Sequence, residues 1–362
     1  MKQNKQAEHY VRPMRVFVGQ NTKAEKGFLS RVSMPEPLAI APGIHPTPKH
    51  DLVFHGGKTI ADLVFTNFYV GGSAAWEASD IQSIDQALAA AMSDSGLNNV
   101  MSQYYSSGQI TSTFRGSHVL AGPSPKIVSQ GDIENLVRSM FQSGALKEVD
   151  LSSTVFNFML PSGTVLNTDE APTTSAITAR VESDRAGVET EHRAGSVIPM
   201  EEEEDSTQGL GGYHGSIHVG SGRSESIVYY AVGVYSESRP DGTVNGIPVF
   251  DQPWKNVVAT FYHELNEART DPDVEDAIRG GSDPNAVKFL GWTSQQGEEC
   301  GDFPVFEAKP LTQVFQEISL TNGHGKAPIQ LQYSDADHGP GEPRKTPAPF
   351  AGQKQHKGHV AG

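Results

Sequence analysis

Apolar positions along this chain recur in two periods, and the alternation between them outlines the fold. A nearly unbroken apolar run at 63–70 reads as a buried strand, and Ile81, Ile84, Leu88 and Met92 then follow at helical spacing. Ile133, Leu136, Val137, Met140 and Phe141 repeat the helical pattern, and further strands are predicted at 154–160 and 226–235. Pro253 stands where a first helical turn tolerates it, and Trp254, Val257, Val258, Phe261 and Leu265 carry a helix to the stop at Asp271-Pro272. Ile329, Leu331 and Tyr333 alternate with Gln330 and Gln332 as a last strand. This order predicts an α/β protein, a mixed sheet flanked by helices, with the 253–269 helix lining a cleft. Residues 1–50 are polar and proline-punctuated and are expected as an extended arm around a domain at 51–337. Residues 338–362, rich in Pro, Gly, Lys and His, are expected as a disordered tail.

The chemistry of the chain concentrates in the 253–269 helix. His263 and Glu267 stand at i and i+4, one turn apart on one face, close enough to share a divalent ion. Glu264 lies beside them as a candidate general base toward water. Downstream, the glycine-marked turn from Gly297 to Asp302 offers Glu299 or Asp302 as a third ligand, the loop-borne acid of many zinc sites. Upstream, Tyr213-His214-Gly215 places another imidazole in a glycine-rich bend, with His218 four residues on. The expected ion is zinc, with calcium or manganese as alternatives. Tyr213 or Tyr262 is the expected oxyanion stabiliser.

His-Glu-Leu-x-Glu with Thr-Asp-Pro behind it, then a Trp and a Glu-x-Gly-Asp turn, resembles the signature region of the plant EXORDIUM or phosphate-induced protein family. The likeness extends to His55-Gly56-Gly57 and the strand and helix after it, to the hydrophobic strand at 154–160, and to the Tyr-His-Gly bend with the strand at 227–233. It covers roughly residues 50–335 and is most specific over 255–303. Against that family's pattern, residues 169–208 form an insertion, and its acidic run Glu201 to Asp205 reads as a solvated loop rather than a calcium loop. The plant proteins are secreted and use several cysteines, whereas Cys300 stands alone here and excludes an internal disulfide. The resemblance implies growth and cell-wall processes more than a particular substrate.

Composition narrows the partners. The 362 residues carry a formal charge of −15 and no basic stripe, which argues against nucleic acid and anionic membrane surfaces. No segment has the length and apolarity of a membrane span, and the first nine residues lack the apolar core of a secretory signal, so the compartment stays open. A Gly-x-Ser-x-Gly elbow is absent around Ser221, and the acids around Cys300 would suppress its thiolate. The expectation is metal-assisted hydrolysis, with a peptide or cell-wall-type substrate. Its rival is a non-catalytic cell-surface or carbohydrate- or protein-binding module whose metal is structural.

Overall fold

The computed structural model describes residues 16–18, 44–147, 149–168, 205–220, 225–281, 283–323 and 325–352. A mixed sheet forms the centre. Its strands in chain order are β1 (Val16–Val18), β2 (Asp62–Tyr69), β3 (Thr111–Val119), β4 (Thr154–Met159), β5 (Leu210–Val219) and β6 (Ser226–Gly233), laid side by side as β1-β5-β6-β4-β2-β3. The pairs β3/β2, β2/β4 and β4/β6 are parallel, whereas β5 runs antiparallel to β6 and takes the three-residue β1 on its outer edge. The α/β class and the mixed sheet expected from the periodicity are therefore present.

Strands buried on both faces divide their side chains between two cores, because successive residues point to opposite sides. In β4 and β6, Val155, Met159, Tyr229 and Ala231 pack on one side with helices α1 (Ala78–Ser93) and α4 (Pro253–Thr270). Phe156, Phe158, Val228, Tyr230 and Val232 pack on the other with Ile133, Val137 and Met140 of helix α3 (Gln130–Ser143). The stripes read from the sequence as core faces hold these places. A capping box between Ser129 and Asp132 starts α3, and Gly144 in the left-handed region ends it.

Outside α4 lies a hairpin, β7 (Phe315–Ser319) with β8 (Lys326–Gln330), whose Phe315, Ala327 and Ile329 join the first core. Sheet on one side, hairpin and α1 on the others, α4 is enclosed: every residue from Asn256 to Thr270 is buried. The helix was expected to show an open edge along a cleft. It has none, because two layers rather than one cover it.

Residues 338–352 depart from the expected disordered tail. Gly341 N–H donates to Gln332 O at 2.8 Å, Arg344 N–H to Gly96 O at 3.0 Å and Ala348 N–H to Asn99 O at 2.8 Å. Phe350 sets its ring edge against Trp292, and Ala348 and Ala351 are buried. Backbone pairing and small buried side chains thus hold a segment whose composition alone would leave it solvated. Of the predicted arm, Val16–Val18 pairs with β5 and residues 44–50 run to a 3₁₀ turn at Pro48–His50. The rest of the arm, residues 169–204 of the expected insertion, and 353–362 lie outside the described residues.

Candidate metal centre

Helix α4 is the spine of the site. Pro253 fits its first turn, and Asn256 uses its side-chain oxygen to hold the incoming chain through Val249 N at 2.9 Å and Phe250 N at 2.8 Å. One turn apart, His263 Nε2 and Glu267 Oε2 stand 3.0 Å from each other. Glu264 is turned toward the sheet, where its Oε2 lies 3.3 Å from Nδ1 of His214 on β5. His214 can meet the helix because β5 alternates: its neighbour Tyr213 goes to the α3 side of the sheet and His214 to the α4 side.

The turn after Thr293 brings the remaining acids. Ser294 N–H donates to Glu298 O at 2.8 Å and Gly297 N–H to Ser294 O at 3.1 Å, which folds the chain back over the end of α4. Gly301 then donates its N–H to Glu267 Oε1 at 3.0 Å, and a Cβ at this position would overlap the His263 imidazole. Only glycine lets the backbone come this close. Glu299 N–H donates to Asp302 Oδ2 at 2.9 Å, so Asp302, the first residue of the helix Asp302–Glu307, is fixed by the loop that carries Glu299. Glu299 Oε1 lies 3.5 Å from His214 Nε2.

Two glutamines orient the cluster. Gln330 donates its amide to Gly301 O at 3.1 Å and to Leu331 O, and Gln332 donates to Gln330 Oε1 at 2.7 Å. That fixes the Gln330 oxygen as the atom facing His263 Nδ1, at 3.0 Å. The Nδ1 atom must then carry the hydrogen, and Nε2 is directed at Glu267, the tautomer a metal-ligating histidine adopts. Both glutamines are buried on a segment where the alternation suggested solvent-facing positions. An inward polar residue on a half-apolar strand has no signature of its own in sequence.

The electrostatics are those of too much negative charge in too little water. His214, His263, Glu264, Glu267 and Glu299 are wholly inaccessible, and Asp302 is buried. Burial first, and then the neighbouring Glu267 and Asp302 charges, holds the Glu264 carboxyl far above its ordinary range. Burial and then the Glu267 charge also raise Glu299 and Asp302, with Asp271 acting further on Glu299 and Glu298 on Asp302, and burial with the Gly291 N–H opposing it leaves Asp271 at about 8. Cys300 Sγ contacts Gln332 Oε1 at 3.3 Å, and burial followed by the Glu267 charge pushes its thiol up, away from a nucleophilic role.

These residues suit a cation. His214, Glu267 and Glu299 bring one ligand atom each within 4.8 Å of one another, and so do His263, Glu267 and Asp302. Neither oxygen of Glu299 accepts a hydrogen bond, nor does Glu267 Oε2 or Glu264 Oε1. A buried carboxylate without donors costs several kcal/mol, which a bound cation would offset. Imidazole with carboxylates is a donor set for zinc or manganese before calcium.

Six of the predicted site residues therefore meet: His214, His263, Glu264, Glu267, Glu299 and Asp302. Tyr213 does not, because it packs edge-on against Tyr230 on the far side of the sheet. Tyr262 does not either; it lies in the core beside Asn266 and Arg269, about 100° round the helix from His263. The expected oxyanion role falls on neither. A groove of about 490 Å³ lies at the surface by His45, Gln313, Leu331 and His338 and is lined by none of the six. His218, the other histidine of β5, pairs with Asp276 Oδ2 at 2.9 Å near the surface. Helices of the described residues include none long and apolar enough to cross a membrane. No family model matches this chain, and no curated protein or solved structure compared with it does.

Proposed function

We propose that this chain is a metal-dependent hydrolase of zinc peptidase or amidase type, centred on His214, His263, Glu267, Glu299 and Asp302. The observation that carries the reading is the acid left over. Glu264 belongs to neither ligand group, yet it is buried against both, with its Oε2 3.3 Å from His214 Nδ1. A divalent cation bound among these ligands supplies a Lewis acid for a carbonyl and makes water a nucleophile near neutral pH. Glu264 would accept a proton from the attacking water and return it to the leaving group. Gln330 holds His263 in the ligating tautomer, and the Gly301 N–H holds Glu267 by its second oxygen. The peptide or amide substrate follows by analogy with other His-Glu helices. Membership of the plant EXORDIUM family, carried by the signature at 255–303, belongs to the same proposal.

One observation favours a second reading, a structural metal in a binding module: all six residues are buried, with no solvent-facing position among them. Glu264→Gln separates the two. A catalytic base predicts that the variant keeps its metal and loses roughly 10² to 10⁴-fold in cleavage of a peptide library. An unchanged rate, or no cleavage by the parent protein, assigns the metal to structure. A parent chain that takes up no zinc at all refutes both.

A further inference from the structure

The candidate ligands fall into two groups rather than one, and the groups share a residue. His214 and Glu299 stand on one side, from β5 and the 294–301 turn; His263 and Asp302 stand on the other, from α4 and the short helix after that turn; Glu267 belongs to both. Within Glu267 the two oxygens are not equivalent. Its Oε1 accepts the Gly301 N–H, which leaves Oε2 to face both imidazoles, 3.0 Å from His263 Nε2 and 3.8 Å from His214 Nδ1. These separations bracket about 3.4 Å, the ligand–ligand edge of a tetrahedral site with bonds of about 2.1 Å.

Charge counts the same way. Glu264, Glu267, Glu299 and Asp302 are four buried carboxyl groups of one cluster, and among the described residues their ion-pair contacts are with histidine. Arg269, on the same helix, points away and donates to Thr111 O at 2.6 Å and Ser112 Oγ at 2.9 Å. Taken as carboxylates, these groups exceed the charge that one divalent ion neutralises. Glu299 supplies the independent sign of a second ion. It is wholly buried, both its oxygens lack hydrogen-bond donors, and it lies in the group that His263 and Asp302 do not complete.

We propose that this centre binds two divalent metal ions bridged by Glu267, one held by His263 and Asp302 and the other by His214 and Glu299. The inference rests on the metal-centre reading above and extends it from one ion to a pair, spaced about 3.5 to 4 Å as in two-metal hydrolases. In such a pair each ion can contact one side of a bond being cleaved, the attacking oxygen or the polarised one.

Titration of the metal-stripped full chain with zinc, followed by elemental analysis after gel filtration, reads the stoichiometry directly. Two zinc ions per chain are expected in the parent, one in Glu299→Gln, one in Asp302→Asn, and a loss of tight binding at both places in Glu267→Gln. One ion in the parent overturns the pair and leaves the hydrolase reading standing; none overturns both. Two ions that both survive Glu299→Gln would put the second elsewhere and also overturn it. Should the variants fail to fold, electron paramagnetic resonance of the manganese-loaded parent decides: an exchange-coupled spectrum supports the bridged pair, and an isolated six-line spectrum refutes it.

Discussion

Gln330 shows how much of this centre depends on residues that are not ligands. Its amide is fixed from both ends, by Gln332 on the oxygen and by the Gly301 and Leu331 carbonyls on the nitrogen, and the fixed oxygen selects the His263 tautomer. Replacing it with alanine removes no ligand. Metal affinity should nonetheless fall by about 10 to 100-fold, the usual effect of losing the partner that orients a ligating imidazole. Competition with a zinc chelator measures it, and an unchanged affinity would show that packing alone orients His263. The six residues that meet were each singled out in the sequence, because a His and an acid one turn apart with an acid turn behind them is a local pattern. Gln330 and Gln332 were not, since their burial depends on the layer folded over them.

At the scale of elements, the joints between helices and hairpin rest on single side chains. Asp94 ends α1 and caps the following helix α2 (Ser95–Met101), accepting from Gly96 N at 2.9 Å and Leu97 N at 3.1 Å through Oδ1. Through Oδ2 it accepts from Thr321 N at 2.6 Å, Thr321 Oγ1 at 2.8 Å and Asn322 N at 3.3 Å, in the turn of the β7–β8 hairpin. One buried carboxylate thus serves a helix start and pins the hairpin that encloses α4. Asp94→Ala should lower the unfolding free energy by roughly 2 to 4 kcal/mol, the sum of a lost cap and buried donors left unmatched. Asp94→Asn should cost less, since it keeps one acceptor oxygen. Chemical denaturation of the two variants gives the comparison, and equal costs would mean that one retained oxygen gives no stabilisation without the other. The N-cap is a sequence signal, whereas the reach of the same side chain to a turn more than 200 residues away is not.

For the whole molecule, the stretch after Asp337 closes the structure. It returns past Gln332, the residue just after β8 that holds Gln330, and then lies along Gly96 and Asn99 to end with Phe350 against Trp292. A chain ending at Asp337 should therefore lose thermal stability and bind zinc more weakly, because Gln332 O loses the Gly341 N–H and Trp292 loses its cover. A thermal scan with and without zinc tests this, and a truncated chain with an unchanged midpoint would show that these contacts add nothing net. Composition misled here for a physical reason. Proline and glycine lower the entropy of ordering or permit close approach as readily as they prevent secondary structure, and a segment with little apolar surface can still be held by backbone donors aimed at carbonyls that need them.

The sequence by itself determined the class of the fold, the sheet strands β2, β4 and β6, the helices α1, α3 and α4, and the local pattern of candidate site residues, since these follow from side-chain period, turn residues and i, i+4 spacing. Strand β3 and most of β5 were not legible, and the strand expected at 329–333 ends at Gln330. Tertiary structure alone decided three further matters. It placed Tyr213 on the far face of the sheet from His214, because the pleat sends neighbours to opposite sides and a bend predicted in place of a strand carries no such parity. It enclosed α4 between sheet and hairpin, so that an expected cleft edge became an interior. And it divided the candidate ligands into two groups about Glu267, a distinction that exists only in distances between β5, α4 and the 294–301 turn, which no spacing along the chain encodes.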